Sequence, residues 1–283
     1  MPEVNVQTIE SIIQSFIAES PLNTLGNVPA EKAFDAPLVG FANGADPLFE
    51  AYREHVGPFH MTPLEAFAAV FGDTDITADD LSVVSYILPQ TKATKKDNRR
   101  EAFYPSERWA RARYFGEKAN NALRKHIVRE LHDRGIPAVA PLLTPQFYRR
   151  VSPVHGLAST WSERHMAYAA GLGTFGLCDG LITPLGKAMR TGSVVARIRI
   201  PPSPRPYTDH HAYCLYFSKG TCKKCTARCP AGAITESGKD KSICAAYLHP
   251  GTDDYVREEF GFNGHGCGLC QTKVPCESRI PGK

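Results

Sequence analysis

Cys222-Lys-Lys-Cys225-Thr-Ala-Arg-Cys229-Pro230 is the stretch on which the reading of this chain turns. Cys214 precedes it, and Cys244, the run Cys267-Gly-Leu-Cys270 and Cys276 follow, so the last quarter of the chain holds eight of its nine cysteines. Thiolates are soft ligands and a 4Fe–4S cluster takes four of them, so eight make two full sets. Two alternatives use the same residues. Zinc also binds Cys-x2-Cys pairs, but zinc ribbons separate their pairs by roughly 15–20 residues. Cys225 and Cys267 lie much further apart, and zinc would leave four cysteines unexplained. A disulfide framework is the third alternative. The array reads as an electron-transfer device.

The run Cys225-x3-Cys229-Pro230 resembles the closing motif of bacterial two-cluster ferredoxins, where the cysteine before proline ligates the other cluster. That crossover implies one set of Cys214, Cys222, Cys225 and Cys276, and a second of Cys229, Cys244, Cys267 and Cys270. Two spacings depart from the pattern. Lys219 stands where a cysteine would precede Cys222 by three residues, so Cys214 reaches in from further back. Cys276 follows its proline instead of preceding one. Longer loops still close, because closure entropy grows only logarithmically with length.

At 283 residues the chain has room for one large and one small domain. A net charge of +4 is too mild to imply nucleic acid, which is not expected as a partner. The N-terminus lacks the basic and apolar regions of a secretory signal, and Arg99-Arg100 lies too far inside to be a twin-arginine signal. No apolar run approaches the eighteen or so residues a membrane span needs, so no membrane partner is expected. Cysteines that bind iron must stay reduced, which leads to the expectation of a cytoplasmic protein.

Apolar spacing predicts a helix over 7–18 and a short apolar segment over 38–43, then a helix from Pro47 to His55. Thr62 and Pro63 form a helix start. Leu81 to Leu88, β-branched and bounded by Asp80 and Pro89, is the best strand. Thr91 to Arg100 is polar and basic and reads as an exposed loop. Ser106 caps a long helix to about Arg134, Ile136 to Leu143 resumes as a strand, and a helix spans roughly Thr160 to Ala170. Strands follow at 181–183 and 193–200. The four prolines of residues 201–206 cannot continue either element and mark a linker. The expected organisation is an N-terminal domain over 1–200 and a cysteine-rich domain over 207–283.

Gly171-x-Gly173-x-x-Gly176 matches the dinucleotide-binding glycine pattern, but the elements around it run in reverse, with a helix before and a strand after. The glycines more naturally end the helix and let backbone approach a bulky cofactor or another chain segment. Cys178, beside them, reads as a small buried apolar residue.

Glu163-Arg164, Ala170 to Gly176, the strand 192–200, Cys229-Pro230-Ala-Gly-Ala-Ile234 and Cys267-Gly-Leu-Cys270-Gln271 together resemble the epoxyqueuosine reductase and reductive dehalogenase superfamily, over residues 80 to 283. The resemblance implies an α+β fold: a nitroreductase-like α/β sheet domain followed by a small ferredoxin-like domain with two 4Fe–4S clusters. It implies cobalamin at the junction, near Gly171, Gly173 and Gly176, with the clusters feeding electrons to the cobalt and a carbon–oxygen or carbon–halogen bond cleaved reductively. Glu163, His165 and Tyr104 are the candidate proton donors. An external electron donor such as ferredoxin or flavodoxin is implied, with a small-molecule or modified-nucleoside substrate. The chain departs from the family at Leu157, where epoxyqueuosine reductases carry an aspartate, and at Leu177-Cys178, which replace Lys-Asn. It also lacks their C-terminal helical repeat. An electron-transfer or activator protein is therefore the competing expectation, and an RNA-associated factor, suggested by Lys92 to Arg100 and Lys223-Lys224, is a third.

Overall fold

Ser82–Pro89 is buried along its whole length, which explains a run with no polar face. It is strand β2 of an antiparallel sheet ordered β1-β2-β8-β3, where β1 is Leu38–Asn43, β3 Ala138–Val139 and β8 Met189–Ala196. The computed structural model describes residues 4–72, 75–153 and 156–282. Alternate residues of β2 enter two cores. Val84, Tyr86 and Leu88 pack with helix α1 (Val6–Glu19) and helix α5 (Glu107–His132). Val83 and Ile87 face α2 (Leu48–His55), α3 (Pro63–Phe71) and α6 (Glu163–Ala169) on the other side. The result is a mixed α/β unit with helices on both faces.

The N-terminal signals read from sequence operate as expected. The Thr62 hydroxyl accepts from Glu65 N at 3.3 Å and the Glu65 carboxylate accepts from Thr62 N at 2.9 Å, a reciprocal cap at the start of α3. Ser106 caps α5 through Trp109 N. The expected strand over 136–143 is cut to β3, because Pro141 opens a 3₁₀ turn.

Residues 91–100 are not an exposed loop. They form α4 (Lys92–Asn98), capped by Thr91, with Thr94, Lys95 and Asn98 buried. Asn98 donates to the Cys267 carbonyl at 3.1 Å and to Thr272 Oγ1 at 3.2 Å, and Arg228 donates to the Asn98 carbonyl. Partners more than a hundred residues away turn a polar run into an internal wedge.

A hairpin of β4 (Arg149–Ser152) and β5 (Gly156–Ser159), which the sequence pattern did not signal, precedes α6. After α6 come the two-residue strands β6 (Thr174–Phe175) and β7 (Leu181–Ile182). Residues 201–206 run along β1: Ser203 N donates to the Phe41 carbonyl, and Phe41 N donates to Ser203 Oγ. The cysteine-rich segment carries α7 (Leu215–Lys219), α8 (Lys224–Ala227), the pair β9 (Ile234–Thr235) and β10 (Gly238–Lys239), α9 (Lys241–Leu248) and α10 (Gly251–Phe260). Its Tyr207, Tyr213, Ile234 and Val274 share the core of the α2–α3–α6 face. No helix of the described residues is long and apolar enough to cross a membrane.

Candidate functional site

None of the eight cysteines of the C-terminal quarter is paired in a disulfide. Cys214 stands at the start of α7, Cys222 in the following loop, Cys225 on α8 and Cys276 in the last turns of the chain. These four line one cavity together with Gly176, Leu177 and Lys187. In the other group, Cys229 follows α8, Cys244 lies on α9, and Cys267 and Cys270 flank a 3₁₀ turn. Burial pushes the Cys267 thiol up to about 11, and Cys244 and Cys229 add to the shift. No three thiols among the described residues come within 4.8 Å of each other. A tetrahedral zinc ion would draw its sulfurs to about 3.8 Å apart.

Cys178 is buried, as its apolar surroundings in the sequence suggest, but it is not an inert filler. Its sulfur accepts from Lys187 Nζ at 3.2 Å. Hydrogen bonds with Cys225 and Cys270, together with the Lys187 charge, hold the thiol well below the usual cysteine range. The ninth cysteine is thus tied electrostatically to one cysteine from each group. Lys187 is only 3% exposed and lines the cavity of the first four thiols. Its backbone N donates to the Cys276 carbonyl at 2.9 Å. Gly186 makes this approach feasible: it sits at φ +83°, and a side chain there would meet the Glu277 backbone at 2.1 Å. Nothing local to Leu177-Cys178 in the sequence signals the link to Cys225 and Cys270, because both arrive from the C-terminal quarter of the chain.

The glycine stretch packs against the chain itself. A Cβ at Gly171 would lie 2.3 Å from the Pro204 carbonyl, and one at Gly173 would lie 2.3 Å from the Ile182 carbonyl. Gly176 alone of the three borders the thiol cavity. No helix opens on Gly176, so the geometry that would hold a dinucleotide pyrophosphate is not built here.

The three candidate proton donors do not converge. Glu163 is partly buried at the N-terminus of α6, where Arg124 holds it at 3.0 Å and Ser193 Oγ donates to it at 2.5 Å. Burial raises its carboxyl above the usual range, against the opposing pull of Arg124. His165, on the same helix, has Nδ1 2.7 Å from Ser162 Oγ, and its ring meets Tyr52 at 4.7 Å and Phe175 at 4.9 Å. Tyr52 donates its hydroxyl to the His165 carbonyl at 2.9 Å. Behind them lies fully buried His60, held neutral by burial, which pushes its ring down to about 4. Tyr104 belongs elsewhere: it stacks on Tyr255 of α10 at 4.0 Å, beside Phe103 and Tyr247.

A second cavity is lined by Arg113, Tyr114, Glu117, Lys118, Asn121 and His265. Positive charge accumulates around it. Arg190 repels Arg113 strongly enough, with burial, to bring its guanidinium down to about 10, and Arg149 and Arg164 contribute. Glu117 is the carboxylate that Arg113, Arg124 and Arg190 share.

No family model matches the chain. Epoxyqueuosine reductase of Bacillus anthracis is 32% identical to it over 120 residues, which are 40% of this chain and 29% of that protein. The chain therefore spans under a third of the length of that curated relative. Among solved structures, a catabolic reductive dehalogenase in complex with 3-bromo-4-hydroxybenzoic acid superposes with a TM-score of 0.54 at 16% identity, over 98% of this chain and 37% of its own. A reductive dehalogenase whose structure suggests a mechanism for B12-dependent dehalogenation gives 0.52 at 14% identity, over 87% of this chain and 30% of its own. At these identities the structural likeness is one of fold.

Proposed function

We propose that this chain is a divergent member of the epoxyqueuosine reductase and reductive dehalogenase superfamily, a reading supported by its local similarity to an epoxyqueuosine reductase, and that it is an iron–sulfur oxidoreductase delivering electrons to a reductive site. Cys214, Cys222, Cys225 and Cys276 would hold one 4Fe–4S cluster, and Cys229, Cys244, Cys267 and Cys270 the other. The observation that carries this reading is that four thiols separated by up to 62 positions in sequence line one cavity. Their spacing, wider than a zinc site, supports the same donor chemistry. When bound, the clusters would supply one-electron transfer. The protein's part is to bury the ligands, exclude water and set the local charge, chiefly through Lys187.

Cobalamin fits the residues less well. The glycines expected to border it are filled by Pro204 and Ile182, so no step is assigned to it. That packing favours the second reading, an electron carrier or activator that docks a partner. If this chain does protonate a substrate, His165 is better placed than Glu163, which is committed to Arg124 and Ser193. The cationic cavity around Arg113 would suit an anionic group on that substrate.

Metal analysis on protein purified without oxygen tests the reading. About eight irons per chain, four for each cluster, are expected. Stoichiometric cobalt beside them would identify a cobalamin-dependent reductase; iron without cobalt, even after cobalamin is added, would favour the carrier. Zinc in place of iron would overturn both.

A further inference from the structure

His249, Asp253 and His265 each bring one ligand-capable atom to within 4.8 Å of the other two. We propose that these three side chains bind a divalent transition-metal ion distinct from the cysteine groups. His249 ends α9, and Asp253 stands four residues on in the first turn of α10, with its Oδ2 at 2.7 Å from His249 Nδ1. His265 arrives from the loop after α10 and places Nδ1 3.5 Å from Asp253 Oδ1. Ligands about 2.1 Å from a tetrahedral ion are spaced at about 3.4 Å, so small side-chain adjustments close the set. Two imidazoles and one carboxylate suit a first-row ion and leave coordination positions open.

The backbone that carries the three residues is tied at a single point. Thr252 is fully buried, and its hydroxyl donates to the Leu248 carbonyl at 3.1 Å and accepts from Gly266 N at 3.2 Å. Leu248, Thr252 and Gly266 are the immediate neighbours of His249, Asp253 and His265. One hydroxyl thus sets the separation of all three ligands, as pre-organisation of a site requires. The side chains are 46%, 34% and 29% exposed, so an ion reaches them directly from solvent. His265 also lines the cavity of Arg113 and Lys118, and their charge suits water or a small anion in the open position.

The test uses protein with its iron in place, freed of loose metal with a mild chelator and given one equivalent of zinc. One zinc per chain at unchanged iron content is expected. The zinc X-ray absorption edge should report only nitrogen and oxygen neighbours at about 2.0–2.1 Å. Sulfur neighbours at about 2.3 Å would mean that zinc had entered the cysteine groups, and would overturn the proposal. So would no uptake, which would leave Asp253 as a hydrogen-bond bridge between two histidines. His249→Ala and His265→Ala should each weaken zinc binding at least tenfold at unchanged iron content; unaltered affinity would also overturn it. The absorption measurement on the unsubstituted protein decides the matter even if the variants fold poorly.

Discussion

Two buried cations, Arg124 on α5 and Lys187 just before β8, are answered by different chemistry. Arg124 is 1% exposed and fully answered by the protein: Glu163 at 3.0 Å, Glu117 at 3.2 Å, Asn121 at 2.7 Å and the Thr191 carbonyl at 3.0 Å. Lys187 is nearly as buried, yet among the described residues it forms no ion pair with a carboxylate, and its closest polar side chain is the sulfur of Cys178. Burying a charge without a counter-charge costs several kcal/mol. Arg124 belongs to a region whose electrostatics are complete in the folded chain. Lys187 belongs to one whose counter-charge is sulfur: although burial opposes it, Cys178, with Cys276, Cys270 and Cys225 nearby, raises its ammonium well above the usual lysine range.

The largest effect expected from this contrast is on structure itself. With the proposed clusters in place, removing their iron with a chelator should abolish amide protection over residues 214–276 while β2 and β8 stay protected in hydrogen exchange. Uniform protection in the stripped protein would erase the distinction. Next comes Arg124→Met, which strands two carboxylates. It should cost about 3–5 kcal/mol in urea unfolding and leave iron content unchanged.

The third prediction concerns pH. Burial raises the Glu117 carboxyl, but Arg190 and Arg124 outweigh it and hold the group at about 2. Its folded value is depressed, so its contribution is complete above the unfolded value near 4.5 and disappears as pH falls towards 2. That contribution amounts to about 3 kcal/mol, and Glu117→Gln should remove it and flatten the acid slope of stability. An unchanged slope would place the acid sensitivity elsewhere. The smallest effect is on potential. Lys187→Met should lower the midpoint of the cluster proposed beside it by about 60 mV, tenfold in a one-electron equilibrium, because reduction adds negative charge there. Lys187→Arg should restore it in a potentiometric titration followed by electron paramagnetic resonance; a midpoint indifferent to both changes would deny Lys187 its role.

Legibility in the sequence followed the range of the interactions. The start of α3 at Thr62-Pro63 and the cap at Ser106 rest on neighbours within a few residues, and β2 announced its burial by its own unbroken composition, so all were readable. The cysteine array was conspicuous because soft ligands cluster rarely by chance. Residues 91–100 misled because their composition is that of a surface loop, while Asn98 and Lys95 are paired with or packed against the distant C-terminal turns. Cys178 was readable as a buried residue, but its bond to Lys187 was not. Arg124, Glu117 and Glu163 come from two helices whose meeting no local pattern announces.

The proline-rich stretch alongside Phe41 carries one more implication, for how the protein resists self-association. A four-stranded antiparallel sheet has two free margins, each able to template a neighbouring molecule. Here one margin is β3, too short at two residues to recruit a strand. The other, β1, is occupied by Ser203, and the prolines around it offer no amide hydrogen with which a ladder could grow. A segment that reads as a mere connector thus closes off the route by which such a sheet would nucleate fibrils.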